Sequence, residues 1–279
     1  MAVRTLIQIF LLLAVAGAGE TIPFLCPMHP DIRASTAGRC PRCGMQLVAN
    51  LADPLEYLLD IGITPPALQP GRLVHLTFRV SHPQTGRPVT GFELVHEKIF
   101  HLFIVSQDLR FFAHEHPRLA PDGTFRLDAK LRSGGQYRLL CDFYPSGGTP
   151  QLIPKTIIAV GRGEAAHLHT DLAPREAVNT QVSLTMDPAV PIAGKKTMLF
   201  FHLQPAEGLE PYLGARGHLL AASEDLIDLL HGHPAFDDPG PTVQFNVIFP
   251  RPGMHRVWVQ FQRNAKVNTV AFNIPVSGL

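Results

Sequence analysis

Charge is scarce in this chain. Only 17% of the 279 residues are Asp, Glu, Lys or Arg, and the signs nearly cancel, leaving a formal net charge of +1. Without a basic excess there is little to grip a phosphate backbone, so no nucleic-acid partner is expected. Beyond the first twenty residues no apolar run approaches the roughly 20 residues that cross a bilayer as a helix. Catalytic signatures are missing too. The sequence holds no nucleophile elbow, no phosphate-cradling glycine loop and no H-E-x-x-H. His114-Glu115-His116 is spaced wrongly for one face of a helix, and the carboxylates form no pair suited to acid–base work. An enzyme is therefore not expected. No long helical period occurs, whereas 26 prolines and 23 glycines punctuate the chain at short intervals. That leans the fold to all-β.

The first residues read as a targeting segment rather than as fold. Arg4 is a short basic start, Leu6 to Val15 is apolar apart from Gln8, and Ala14, Ala16 and Ala18 offer small-residue cleavage patterns. Residues 1–18 are expected to be a signal peptide. The mature protein is then periplasmic or secreted, is not integral to a membrane, and sits where disulfides are permitted. Four cysteines are present, and three of them, Cys26, Cys40 and Cys43, fall close together.

That cluster carries the clearest chemistry. Residues 22–48 contain Cys26-Pro27-Met28-His29-Pro30 and then Cys40-Pro41-Arg42-Cys43-Gly44-Met45. Cys40 and Cys43 at C-x-x-C spacing suit one ion, Cys26 adds a thiolate and His29 an imidazole. Such a Cys₃His set is a normal tetrahedral zinc site. Met28 and Met45 add thioethers, and soft sulfur ligands select Cu(I), with Ag(I) expected to follow. A structural zinc knuckle or a disulfide staple would equally hold so small a module together. The segment Phe24 to Val48 resembles the heavy-metal-binding domain found on copper/silver efflux adaptors and on some copper-transporting P-type ATPases. One departure is Ala37, where proline is expected before Gly38. The resemblance implies metal binding in a setting of metal resistance or efflux, with a metal efflux system as a possible partner.

Residues 49–56 read as a linker, and after them the chain repeats itself. His101-Leu-Phe-Ile-Val-Ser106-Gln-Asp108-Leu109 answers His218-Leu-Leu-Ala-Ala-Ser223-Glu-Asp225-Leu226, and His114-Glu-His116-Pro117 answers His231-Gly-His233-Pro234, every position offset by 117. Further on, Gly135 to Phe143 answers Gly253 to Phe261 at an offset of 118. Strand patterns recur in both copies. In the first they cover Leu73–Val80, Phe100–Ser106, Thr124–Leu131, Gln136–Phe143 and Leu152–Val160. In the second they cover Gln181–Met186, Thr197–Leu203, His218–Ala222, Val243–Phe249, Arg256–Phe261 and Val267–Ile274. The expectation is a small metal knuckle followed by two tandem immunoglobulin-like β-sandwiches, over 57–161 and 178–276. Cys141 falls on the apolar side of its alternating strand and reads as a small core hydrophobe.

Fourteen histidines include three H-x-H pairs, His114/His116, His167/His169 and His231/His233. In extended backbone such a pair points one way. His101 precedes the first pair as His218 precedes the last, so each repeat offers three imidazoles suited to Cu(II) or Zn(II). On that reading the loop after the strand folds back to bring three ring nitrogens within about 4 Å, and binding falls below pH 6 as the rings protonate. The competing reading makes Ser-x-Asp-Leu…His-x-His-Pro a fold fingerprint of an inter-strand loop. The pattern also resembles, more loosely, a group of exported β-sandwich proteins that pair with heavy-metal-binding modules. His167/His169 lie in a polar, mobile connection that offers only an adventitious chelate, and His75, His82, His96 and His202 receive no role. The expected function is an exported accessory protein that sequesters copper or silver ion, or delivers it to efflux, with zinc as the alternative metal. Two further readings stay open: an adaptor module whose knuckle is structural, and a copper-dependent oxidoreductase marked by two histidine clusters facing one cleft.

Overall fold

The computed structural model describes residues 24–26, 32–42, 46–49, 55–146, 148–236 and 240–278. The expected signal peptide lies outside them, as do Met28, His29, Cys43 and Met45. The described residues are all-β, and no helix long and apolar enough to cross a membrane occurs among them.

Three short strands build the N-terminal module: β1 (Phe24–Leu25), β2 (Arg33–Ala34) and β3 (Val48–Ala49), in the order β2-β1-β3. So small a sheet has little core. Cys26 and Cys40 are buried with Leu47 and pack against Phe24, Ile32, Ala34 and, from the next domain, Val95. The Arg42 amide donates to Cys40 Sγ at 3.4 Å.

Repeat 1 follows with β4 (Leu58–Thr64), β5 (Leu73–Ser81), β6 (Phe100–Ser106), β7 (Phe112–Glu115), β8 (Arg118–Leu119), β9 (Thr124–Lys130), β10 (Gly135–Phe143) and β11 (Gln151–Ala159). They form two antiparallel sheets, β4-β5-β9-β8 and β11-β10-β6-β7. The repeat 2 strands are β12 (Arg175–Glu176), β13 (Gln181–Asp187), β14 (Lys196–Gln204), β15 (Leu209–Glu210), β16 (His218–Ser223), β17 (Leu229–Gly232), β18 (Thr242–Ile248), β19 (Gly253–Arg263) and β20 (Lys266–Val276). Their sheets are β12-β13-β14-β18 and β15-β19-β16-β17, with β20 on the far side of β19. Alternation explains each core. Leu76, Phe78, Phe100, Leu102, Ile104, Tyr137, Leu139 and Cys141 fill the first, and Leu199, Phe201, Leu219, Ala221, Phe245, Val257, Val259 and Phe272 the second.

β6 and β16 are buried along their whole length, on both faces. A strand covered on both faces reads as a continuous apolar run, and the cover is the other repeat. Phe103, Val105 and Leu140 meet Leu220, Ala222 and Trp258 in a third apolar cluster. Phe112 stacks on Trp258 with ring centroids 5.2 Å apart, an arrangement worth about 1 kcal/mol beyond its buried area.

The connection between the repeats departs from the sequence expectation of mobility. Ala166 is buried in that third cluster with Leu168 against it. The Leu168 amide donates to the Glu224 carboxylate, and Asp171 bridges to Asn273 in both directions. Two anchored apolar residues outweigh the polar composition that suggested a loose tether.

Candidate metal centre

Of the histidines after each strand, the first of each pair lies in a strand and the second, His116 or His233, just past its end. His114 lies in β7, paired antiparallel with β6 in the register Phe103↔His114. His231 lies in β17 in the register Leu220↔His231. Continuing either ladder by one pair of residues on the same face sets His116 opposite His101 and His233 opposite His218. Each trio is therefore a cross-strand neighbour plus an i, i+2 pair, all on one face of a hairpin. Ser-x-Asp-Leu makes the hairpin's turn. Ser223 Oγ donates to Asp225 Oδ1 at 2.6 Å and accepts the Asp228 amide at 2.9 Å. Ser106 stands in the same relation to Asp108 and the Phe111 amide. The serine and aspartate shape the turn, as the fold-fingerprint reading expects, and the turn brings the three histidines of each repeat together.

In each trio the ligand atoms lie within 4.8 Å of one another. That is wider than the expected 4 Å, and closing on one ion at about 2 Å per nitrogen needs side-chain shifts of about 1 Å. His101 Nε2 donates to the Val95 carbonyl and His218 Nε2 to the Tyr212 carbonyl, both at 2.9 Å. His114 Nδ1 donates to Gln260 Oε1 at 2.8 Å, and His231 Nδ1 to Asp142 Oδ2 at 2.6 Å. Each bond fixes a tautomer and leaves the opposite nitrogen with a bare lone pair. His101 Nδ1 and His114 Nε2 consequently face each other at 3.1 Å with no proton between them. Two lone pairs at that distance are a donor pair for a cation. His116 Nε2, His218 Nδ1, His231 Nε2 and both ring nitrogens of His233 are buried and find no hydrogen-bond partner among the described residues. Such atoms are costly unless something binds them. The donor set thus fits an imidazole-seeking ion, with carbonyl, amide and carboxylate groups orienting the rings from behind.

The orienting groups are exchanged between repeats. Asp142 sits beside His101 in its own sheet yet bonds His231. Gln260 sits beside His218 yet bonds His114. The trios consequently abut. His114 and His218 have ring centroids 5.4 Å apart and His101 and His231 5.8 Å, comparable with the distances inside a trio. Phe103 stacks on His114 at 4.1 Å and lies 4.6 Å from His231, so an apolar ring covers both.

Burial favours the neutral form of His101, His114, His116, His218 and His233. Desolvation, then the neighbouring His231, holds His101 at about 4. Desolvation, then His101, holds His114 at about 2 and His116 at about 3. His218 and His233 are lowered well below the ordinary value, again by burial first. Neutral rings can ligate at neutral pH without first losing a proton.

One residue escaped the sequence reading. His96 stacks on His233 with ring centroids 3.7 Å apart and stands edge-on to His218 at 5.4 Å. It lies outside the repeated motif, and its counterpart at the 117 offset is Leu213, so repetition gave no signal for it. The other unassigned histidines have ordinary partners: His75 bonds Asp128, His202 bonds Thr185 and Thr242, and the His82 ring meets Tyr57 edge-on. His167 and His169 join no cluster among the described residues. In the module, Cys26 and Cys40 come together in one small core. Met28, His29, Cys43 and Met45 lie outside the described residues.

No curated protein sequence matches the chain. Among solved structures, the FdeC adhesin of Escherichia coli overlaps 84% of this chain and 68% of its own at 14% identity and a TM-score of 0.27. The fibronectin(III)-like modules of Clostridium thermocellum CbhA overlap 79% and 95% at 11% identity and a TM-score of 0.22. These overlaps score low, and nothing here rests on them. Residues 24–50 match the Heavy metal binding domain. Residues 58–171 and again 175–278 match the Domain of unknown function DUF8832. Matched in both repeats and over most of its length, the chain belongs to the DUF8832 family, and it carries a heavy-metal-binding segment ahead of the repeats.

Proposed function

We propose that this protein is an exported metal-handling protein that binds rather than transforms. The N-terminal module takes a soft ion, copper or silver first, on Cys26, Cys40 and Cys43, with His29, Met28 and Met45 as further ligands. The two histidine trios hold an imidazole-seeking ion such as Cu(II) or Zn(II). Sequestration, or delivery to a metal efflux system, is the role that this pairing serves. The observation that carries the reading is the duplicated trio with exchanged orienting groups. A structural histidine needs one partner for each proton, whereas here bare nitrogens converge twice in the same geometry.

Metal analysis of the full chain tests it. The reading expects ions in excess of what the cysteine module holds. Replacing His114 and His231 with alanine should remove that excess and leave the module's ion. Replacing Cys40 and Cys43 with serine should abolish tight Cu(I) binding, because hydroxyls do not substitute for thiolates toward soft metals. An unchanged metal content in the histidine variant would sink the trio reading, and unchanged Cu(I) affinity in the serine variant would sink the module reading.

Copper-dependent oxidation keeps one observation in its favour, since the trios do face each other. His101 and His218 are, however, only 2% and 1% exposed, which suits storage better than substrate access. Copper-loaded protein that consumes oxygen over a panel of reductants would favour oxidation.

A further inference from the structure

The trios are duplicated, but their surroundings are not. Position 96 is histidine in repeat 1 and its counterpart in repeat 2 is Leu213. Both lie in tight two-residue turns, Val95 pairing with Lys98 and Tyr212 with Ala215. The second of these turns uses Leu213 at φ 52° and Gly214 at φ 71°, glycine being suited to such a bend. The first places His96 at φ 47° and then Glu97 at φ 62°. Two side-chain-bearing residues in the left-handed region cost roughly 1 kcal/mol or more apiece. Leu213 shares the left-handed φ of His96, so the backbone alone does not mark the histidine; its ring does, lying against His233 and His218. The orienting groups differ as well: a carboxylate, Asp142, backs His231, whereas a neutral amide, Gln260, backs His114.

Access differs in the same sense. His114 lines a surface groove with Glu115, Lys130, Arg132 and Gln260, and His116 lines another with Arg118 and Asp128. His233 has both ring nitrogens buried and His116 only its Nε2, so the difference is one of degree within two trios of like burial.

We propose that the two histidine sites are unequal: His218, His231, His233 and, from the other repeat, His96 form a closed four-imidazole holding site, and His101, His114 and His116 form a three-imidazole site whose open position faces the surface. This rests on the reading of the trios as metal sites. Closed four-coordinate sites retain their ion, and three protein ligands leave a place for exchange or an incoming ligand. The carboxylate behind His231 makes its ring the stronger donor. Ligation by His96 requires it to leave its stack on His233, because two imidazoles on one ion at about 2 Å stand roughly 4.5–5 Å apart between centroids.

The test uses the full chain with Cys26, Cys40 and Cys43 replaced by serine, so that only the histidine sites compete for Cu(II). Calorimetry should resolve two ions, the first bound at least tenfold more tightly. Electron paramagnetic resonance at one equivalent should carry the hyperfine pattern of four nitrogens. His96→Leu should reduce that pattern to three nitrogens. Asp142→Asn should weaken the first ion about 10- to 100-fold and leave the second unchanged. Leu213→His should add a donor to the weaker site and tighten the second ion, a gain that a merely damaged fold cannot mimic. Two ions of equal affinity, or a nitrogen count unmoved by His96→Leu, would overturn the inequality while leaving both sites standing. Failure of the chain to bind any Cu(II) would instead remove the metal reading of the trios altogether.

Discussion

In the unfolded chain His101, His114 and His116 titrate near 6.5, whereas burial holds them at about 4, 2 and 3 in the folded one. Between those values the unfolded chain binds more protons, so folding stability rises with pH there. The metal-free protein should therefore be at full stability above about pH 6.5 and lose it as pH falls toward 4. His101 alone contributes on the order of 3 kcal/mol to that loss. Urea unfolding at pH 7, 5.5 and 4.5 checks this, and a midpoint that does not move would contradict the burial of these rings. The same shift revises the expectation that ions leave below pH 6. Rings that stay neutral should keep their ion to about pH 5, read by dialysis across that range. The repeated trios were legible because their spacing is printed twice in the chain. His96 was not, since a contact made across a domain interface leaves no periodicity in sequence.

Among the elements, the hairpins β6–β7 and β16–β17 decide whether a site exists at all. The sandwich strands were legible from alternation and turn chemistry. β7 and β17 were read as loop, because Phe-Ala-His-Glu and Leu-Leu-His-Gly are four residues long and spend their buried side on histidine instead of an apolar residue. β4 was missed for a related reason, as Leu58–Thr64 includes Gly62 and alternates weakly. The Ser223 hydroxyl is one of the groups that hold the turn between β16 and β17, beside the Leu226 amide on the Ser223 carbonyl and the Ile227 amide on Asp225. Replacing Ser223 with alanine should cost about 1–2 kcal/mol, and should weaken only the ion held by His218, His231 and His233. Thermal melts and metal titration together check it. An equal loss at both sites would mean that the turn supports the fold and not its own site.

For the whole molecule, exchanged orienting groups predict an effect at a distance in sequence. Replacing Gln260 with alanine changes nothing in repeat 1, yet should weaken the ion held by repeat 1's own histidines about tenfold or more. Replacing Trp258 with alanine removes a buried interface ring at a cost of roughly 3–5 kcal/mol, and should weaken both ions at once because the repeats then part. Calorimetric titration of the two variants separates the cases. If Trp258→Ala spares both affinities, each trio assembles without its neighbour.

The reciprocity of His114 with Gln260 and His231 with Asp142 has a meaning for ancestry. A contact in which residue i of one half meets residue j of the other, and j meets i, is the mark of an isologous interface between two copies of one subunit. Here both halves lie on a single polypeptide, which is what fusing the two copies of a homodimer leaves behind. In a homodimer the two sites must be identical, since every substitution appears twice. Fusion lifts that constraint. Asp142 opposite Gln260, and His96 opposite Leu213, are differences that only a joined pair can hold, so covalent linkage frees the two halves to diverge.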